Sequence, residues 1–185
     1  MEIYDAIFLR KSTRKYSNKS VKESLLQEVK NECSQITYLN KDLNIKAHVV
    51  DRGYLVQFLM KKNCKVKAPH YIIVTSNKGE DYLQNIGLAM EEVVLKLTTL
   101  GLATCWLECD IKREEILELI ELEDKEQNDT VLEQDENEEE LHKDINLEKP
   151  YAIIAFGYPN ENEKLFRNID DIDRKRIKQV CKKLD

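Results

Sequence analysis

The chain has 185 residues, of which 42% are apolar and 35% charged, and a net charge of −6. That is enough length for one domain with a buried core, and no apolar run approaches the roughly 20 residues that span a bilayer. The N-terminus, MEIYDAIFLR, lacks the basic region, apolar stretch and cleavage site of a secretory signal.

Read in chain order, residues 2–9 form a short helix with Ile3, Ala6 and Ile7 on one face. Ser20 and Glu23 have the spacing of a capping box, and a helix carrying Leu25, Leu26, Val29 and Cys33 follows. NIKAHVVD alternates as a strand does, and YLVQFLM (54–60) is helical. After Pro69, HYIIVTS is rich in β-branched and aromatic residues, as a buried strand is. Residues 80–99 are the longest helical pattern, with Ile86, Met90, Val93, Val94 and Leu97 in register, and Gly101 closes it as a C′ glycine. LATCWLE is a short strand, REEILELIEL a helix, YAIIAFG a core strand and DDIDRKRIKQVCKKL a basic terminal helix. The pattern predicts one α+β domain over 1–185, with a sheet of about four strands wrapped by helices.

Charge is distributed unevenly. Residues 121–149 hold 13 Asp/Glu and 3 Lys, a net of −10, which leaves +4 for the rest of the chain. A mildly basic fold thus carries an acidic insertion, read here as a loop. This balance suits a small anionic ligand and is too weakly basic to argue for nucleic acid. The five cysteines (33, 64, 105, 109 and 181) have no regular spacing and read as reduced cytoplasmic thiols.

Common catalytic signatures are missing: there is no Walker loop, no G-x-G-x-x-G, no G-x-S-x-G and no H-E-x-x-H. His48, His70 and His142 are scattered, without a metal-ligand spacing. With 5 glycines the chain has no Gly-rich phosphate cradle, so a bound phosphate needs side chains to hold it. RKSTRKY (10–16) offers them. Extended, it sends Arg10, Ser12 and Arg14 to one face, two guanidiniums flanking a hydroxyl. The plain alternative is a basic surface loop whose cations favour a helix C-terminus, and the spacing leaves both open.

AIFLRKSTRKYSNKSV resembles the opening of the nitroreductase-like FMN flavoproteins, and three more stretches follow in the family's order: KAPHYIIVTS, NIGLAMEEVVLKLTTLGLATCWLE and YAIIAFGYP. The match is best to the compact TM nitroreductase subgroup. The resemblance implies a mainly antiparallel sheet around a long core helix, and FMN held at its phosphate and ribityl by Arg10, Lys11, Ser12 and Arg14. Cys105, Trp106, Leu107 and Glu108 then lie against the ring, where a backbone N–H meets N5, with Arg167 and Lys164 as further phosphate residues. Trp106 reads equally as a core tryptophan beneath the long helix, and Cys105 as a small buried hydrophobe.

The implied activity is oxidation of NADH or NADPH with reduction of a nitroaromatic, quinone or similar small acceptor, by ping-pong kinetics in a cytoplasmic homodimer. No membrane or nucleic-acid partner, catalytic side chain or metal is implied. Alternatives are a flavin store or redox sensor with little turnover, and a family member that binds no flavin. The chain departs from the family by lacking an S-x-x-N-x-Q-P-W-type flavin contact and by the 121–149 insertion.

Overall fold

Every residue of strand β2 (His70–Ser76) is buried, so it needs cover on both faces, and the rest of the fold supplies it. The computed structural model of the protein describes residues 1–109, 111–116, 118–120 and 149–168. The acidic insertion, apart from Lys149, and the C-terminal helix expected from residue 170 lie outside the described residues. Four antiparallel strands form one sheet in the order β1-β2-β4-β3. They are β1 (Lys46–Val50), β2, β3 (Ala103–Glu108) and β4 (Lys149–Gly157). This is the α+β class that the sequence pattern implies.

Side chains alternate across the sheet and divide the core in two. Tyr71, Ile73, Cys105, Ile153 and Ala155 meet Val56 and Met60 of helix α3 (Gly53–Met60), with Ile116 and Leu119 from the helical residues 113–116 and 118–120. On the other face, Ile72, Val74, Ile154 and Phe156 meet helices α2 (Glu23–Ser34) and α4 (Tyr82–Thr99). Helix α4 buries Ile86, Met90, Val93, Val94 and Leu97 as its spacing predicts. It ends in a Schellman motif: Gly101 takes φ 81°, while the Gly101 and Leu102 N–H groups donate to the Thr98 and Leu97 carbonyls at 3.1 and 3.0 Å.

One local expectation is extended and one is corrected. Helix α1 (Ile3–Leu9) packs on α4 through Ala6, the residue it buries, and leaves Ile3 43% and Ile7 45% exposed. Ser20 does not form a capping box, since α2 starts at Glu23 without a side-chain cap. Its hydroxyl lies 3.2 Å from His70 Nε2, which also accepts the Val21 N–H at 3.0 Å. The buried imidazole needs polar partners and takes the hydroxyl that the helix would have used.

The start of α3 is pressed against the chain leading into β2. The Gly53 N–H donates to the Pro69 carbonyl at 2.9 Å, and a Cβ on Gly53 would overlap the Ala68 and Pro69 carbonyl oxygens. Gly53→Ala is expected to cost about 2 kcal/mol through overpacking, a drop of about 4–8 °C in Tm for a chain this long. A melt followed by circular dichroism checks this, and an unchanged Tm would show that α3 moves freely against β2.

Candidate functional site

The cationic segment leaves α1 and runs along the free edge of the sheet. Ser12 bridges Thr104 of β3, with the Thr13 N–H donating to the Thr104 carbonyl at 2.9 Å. The chain returning after β4 holds it as well: Arg10 bridges Phe166 and Tyr16 bridges Pro159. Further bonds run from the Ser17 N–H to the Tyr158 carbonyl, from Asn160 N–H to Lys15 carbonyl and from Arg167 N–H to Leu9 carbonyl, at 2.9, 3.0 and 2.8 Å. Thr13 and Tyr16 are buried, Arg10 and Ser12 half-buried, and Arg14 exposed. The Tyr16 hydroxyl donates to the Ala155 carbonyl at 3.1 Å and pins the end of the segment to β4.

The cations differ in their partners. Arg10 Nε lies 3.3 Å from Glu91 Oε1, while Glu91 Oε2 accepts the Trp106 indole N–H at 3.1 Å. Lys11 pairs with Glu163 at 3.2 Å. Arg167 donates Nε–H to the Arg10 carbonyl at 2.7 Å. Arg14 and Lys164 make no side-chain hydrogen bond or ion pair with the described residues. Three polar atoms around the segment are buried without a partner among the described residues: Arg10 Nη1, Thr13 Oγ1 and Thr104 Oγ1.

A cleft of about 630 Å³ opens beside this segment. Arg14, Trp106, Leu107 and Glu108 form one part of its lining, and Met60, Asn63, Lys65 and Val66, at the C-terminal end of α3 and beyond, form the other. The structure therefore brings together Arg14, Trp106, Leu107 and Glu108, and joins Arg10 to Trp106 through Glu91. Trp106 packs toward α4, whereas the Cys105 side chain turns to the α3 face of the core. Lys11 faces Glu163. The α3-side wall and the two carboxylates are absent from the sequence reading. Nothing in the spacing marks them, because each arrives from a distant element. Among the described residues no His/Cys/Asp/Glu group could hold a metal ion, and no helix is long and apolar enough to cross a membrane.

Burial raises the Cys105 thiol pKa, with Arg14 and Arg10 pulling it partly back. Burial likewise raises the Tyr16 and Tyr71 hydroxyls, and pushes the Cys33 thiol up to about 12.

Residues 2–132, well over half of the chain, match the family described as "Putative TM nitroreductase". The chain belongs to the TM nitroreductase family. No curated protein matches it. Among solved structures, a nitroreductase family protein from Clostridium difficile 630 superposes with a TM-score of 0.68 at 17% identity, covering 100% of this chain and 99% of that one. A nitroreductase with bound FMN from Bacteroides fragilis NCTC 9343 gives 0.64 at 20% identity, covering 91% and 94%. An FMN-dependent nitroreductase from Clostridium difficile R20291 gives 0.61 at 20% identity, covering 91% and 93%. At these identities the likeness carries the fold, an α+β nitroreductase fold, and the family match carries the membership.

The raised thiol and phenol pKa values set an alkaline limit on the fold. The unfolded chain loses these protons near the ordinary values of 9.0 for cysteine and 10.0 for tyrosine, before the folded chain does. Stability is therefore fully present below those values and falls as pH rises beyond them. Tm is expected to hold up to about pH 9 and to fall from there as pH rises toward the Cys33 value of about 12. A flat profile would mean that these groups titrate in the fold as they do in water.

Proposed function

We propose that this chain is an FMN-dependent oxidoreductase that oxidises NADH or NADPH and reduces a nitroaromatic, quinone or similar small acceptor, by ping-pong kinetics, as a cytoplasmic homodimer. The observation that carries this reading is the docking of a cationic segment on the β3 edge beside a cleft walled by Trp106 and Leu107. FMN is a flat ring with an anionic tail, and the residues present fit both ends. Arg10 Nη1 is buried without a partner and Arg14 has no ion pair among the described residues, so both have donor capacity for a phosphate. The cleft volume of about 630 Å³ lies within the roughly 300–1,000 Å³ usual for cofactor sites.

Bound FMN supplies the hydride and electron transfer, so no side chain is required as nucleophile or metal ligand. The chain's residues bind, orient and shield it. Arg10 and Arg14 hold the anionic end, with Lys11, Ser12, Lys164 and Arg167 as further donors. Leu107, Met60 and Val66 keep water off the ring. Cationic Arg14 and Lys65 favour negative charge developing in the cleft. The apolar side chains turned outward on α1 and α4, among them Ile3, Tyr4, Ile7, Leu83 and Leu88, support a second copy as the partner.

The visible spectrum of the purified protein, before and after anaerobic NADH and NADPH, tests the reading. A flavin spectrum bleached by either donor and restored by an acceptor is the expected result. A flavin spectrum that neither donor bleaches would replace the oxidoreductase with a store or sensor. Colourless protein that takes up no FMN would remove the cofactor altogether.

Arg14→Ala is expected to raise the FMN Kd at least about tenfold, from the loss of a charge-assisted bond. Because Arg14 is exposed, Tm should hold. Flavin content unchanged by this substitution would overturn the phosphate assignment. Sedimentation of the protein at micromolar concentration checks the homodimer.

A further inference from the structure

Glu91 stands on α4 at the point where the cationic segment and β3 meet. One carboxylate oxygen takes Arg10 Nε at 3.3 Å and the other takes the Trp106 indole at 3.1 Å. Both oxygens are committed, so the carboxylate cannot swing without releasing a partner. The indole N–H is a donor only and, half-buried under α4, needs this acceptor. Glu91 is 43% and Arg10 21% exposed, and an ion pair that open to water adds little stability. Its effect is therefore on orientation.

Nε carries one of the five N–H groups of a guanidinium. Held there, Arg10 keeps its Nη groups unspent among the described residues, and Nη1 is buried without a partner there. The Arg167 bond to the Arg10 carbonyl, 2.7 Å, fixes the backbone behind it. One arginine is thus anchored at its backbone and at its Nε edge, with a buried Nη1 left without a partner among the described residues. An arginine ordered in advance loses less conformational freedom on binding.

We propose that Glu91 is a positioning residue that selects FMN over its phosphate-free analogue riboflavin: it aligns Arg10 toward the phosphate and keeps Trp106 in the cleft wall, so that one carboxylate of α4 sets both ends of the site. This rests on the FMN reading above. It assigns a role to an acidic side chain that would otherwise count against an anionic ligand.

Glu91→Gln separates the two contacts. The amide oxygen still accepts the indole N–H, but the charge opposite Arg10 is gone. Protein stripped of flavin is titrated with FMN and with riboflavin, read by quenching of flavin emission and of Trp106, the single tryptophan of the chain. The expected result is an FMN Kd raised about tenfold, as for loss of one charge-assisted contact, with riboflavin Kd within about twofold of the starting protein. A merely structural role would weaken both ligands together. Glu91→Ala, which also frees the indole, is expected to weaken both ligands and shift Trp106 emission.

In an Arg10→Ala background Glu91→Gln should change the FMN preference no further, since the two act through one contact. An unchanged FMN-to-riboflavin preference in Glu91→Gln overturns the proposal while leaving the FMN reading intact. Tighter FMN binding overturns it too, by showing that the carboxylate competes with the phosphate for Arg10. Starting protein that binds neither flavin removes the FMN reading, and the proposal with it.

Discussion

The constraint on which the structure depends is that β2 is buried along its whole length, with its backbone paired on both sides. Its partners are β1 and β4, and β4 carries β3 in turn. Two central strands buried on both faces require helices on both faces, α2 and α4 on one and α3 with the helical residues after 112 on the other. A sheet covered in this way has its free polar groups at its edges. The β3 edge is where the cationic segment docks, through Thr13 and Thr104. The site sits at the rim of the sheet because the middle is filled.

From that docking follows a candidate site whose cationic segment is bridged to the sheet edge and to the return after β4. The segment from 10 to 17 contacts β3 and the return after β4, and the Tyr16 hydroxyl reaches into the sheet to Ala155. His70 gives a second anchor: its ring accepts from Val21 and sits 5.3 Å from Phe156, tying the chain beyond the segment to the first residue of β2. The cationic segment is thus mounted on the same frame that buries the core.

The electrostatics are more mixed than the sequence suggests. RKSTRKY reads as a cluster of free cations, yet Arg10 and Lys11 each face a carboxylate and Arg167 caps a backbone carbonyl. Both pairs are partly open to water, so they orient the cations more than they stabilise the fold. Arg14, exposed and without such a partner among the described residues, keeps its charge for the cleft. The insertion at 121–149, the most acidic part of the chain, lies beyond the described residues, apart from Lys149.

Strand and helix identities were legible because they rest on local patterns: HYIIVTS on its unbroken β-branched run, the long helix on the spacing from Ile86 to Leu97, and its end on Gly101. For residues 10 to 14 the sequence offered two readings, an extended segment with Arg10, Ser12 and Arg14 on one face or a basic surface loop. The structure shows isolated bridges from Arg10 and Tyr16 to the return after β4 and from Ser12 to β3. Where the sequence alone misled, a tertiary partner had outbid a local one. Ser20 serves His70 instead of capping α2. What only the tertiary structure decided is which side chains share the site. Glu91 precedes Trp106 by fifteen positions and follows Arg10 by eighty-one, and the α3-side wall comes from residues 60 to 66. Periodicity along one element is set by the backbone and is written in the sequence; convergence between elements is set by how the sheet is covered, and no spacing records it.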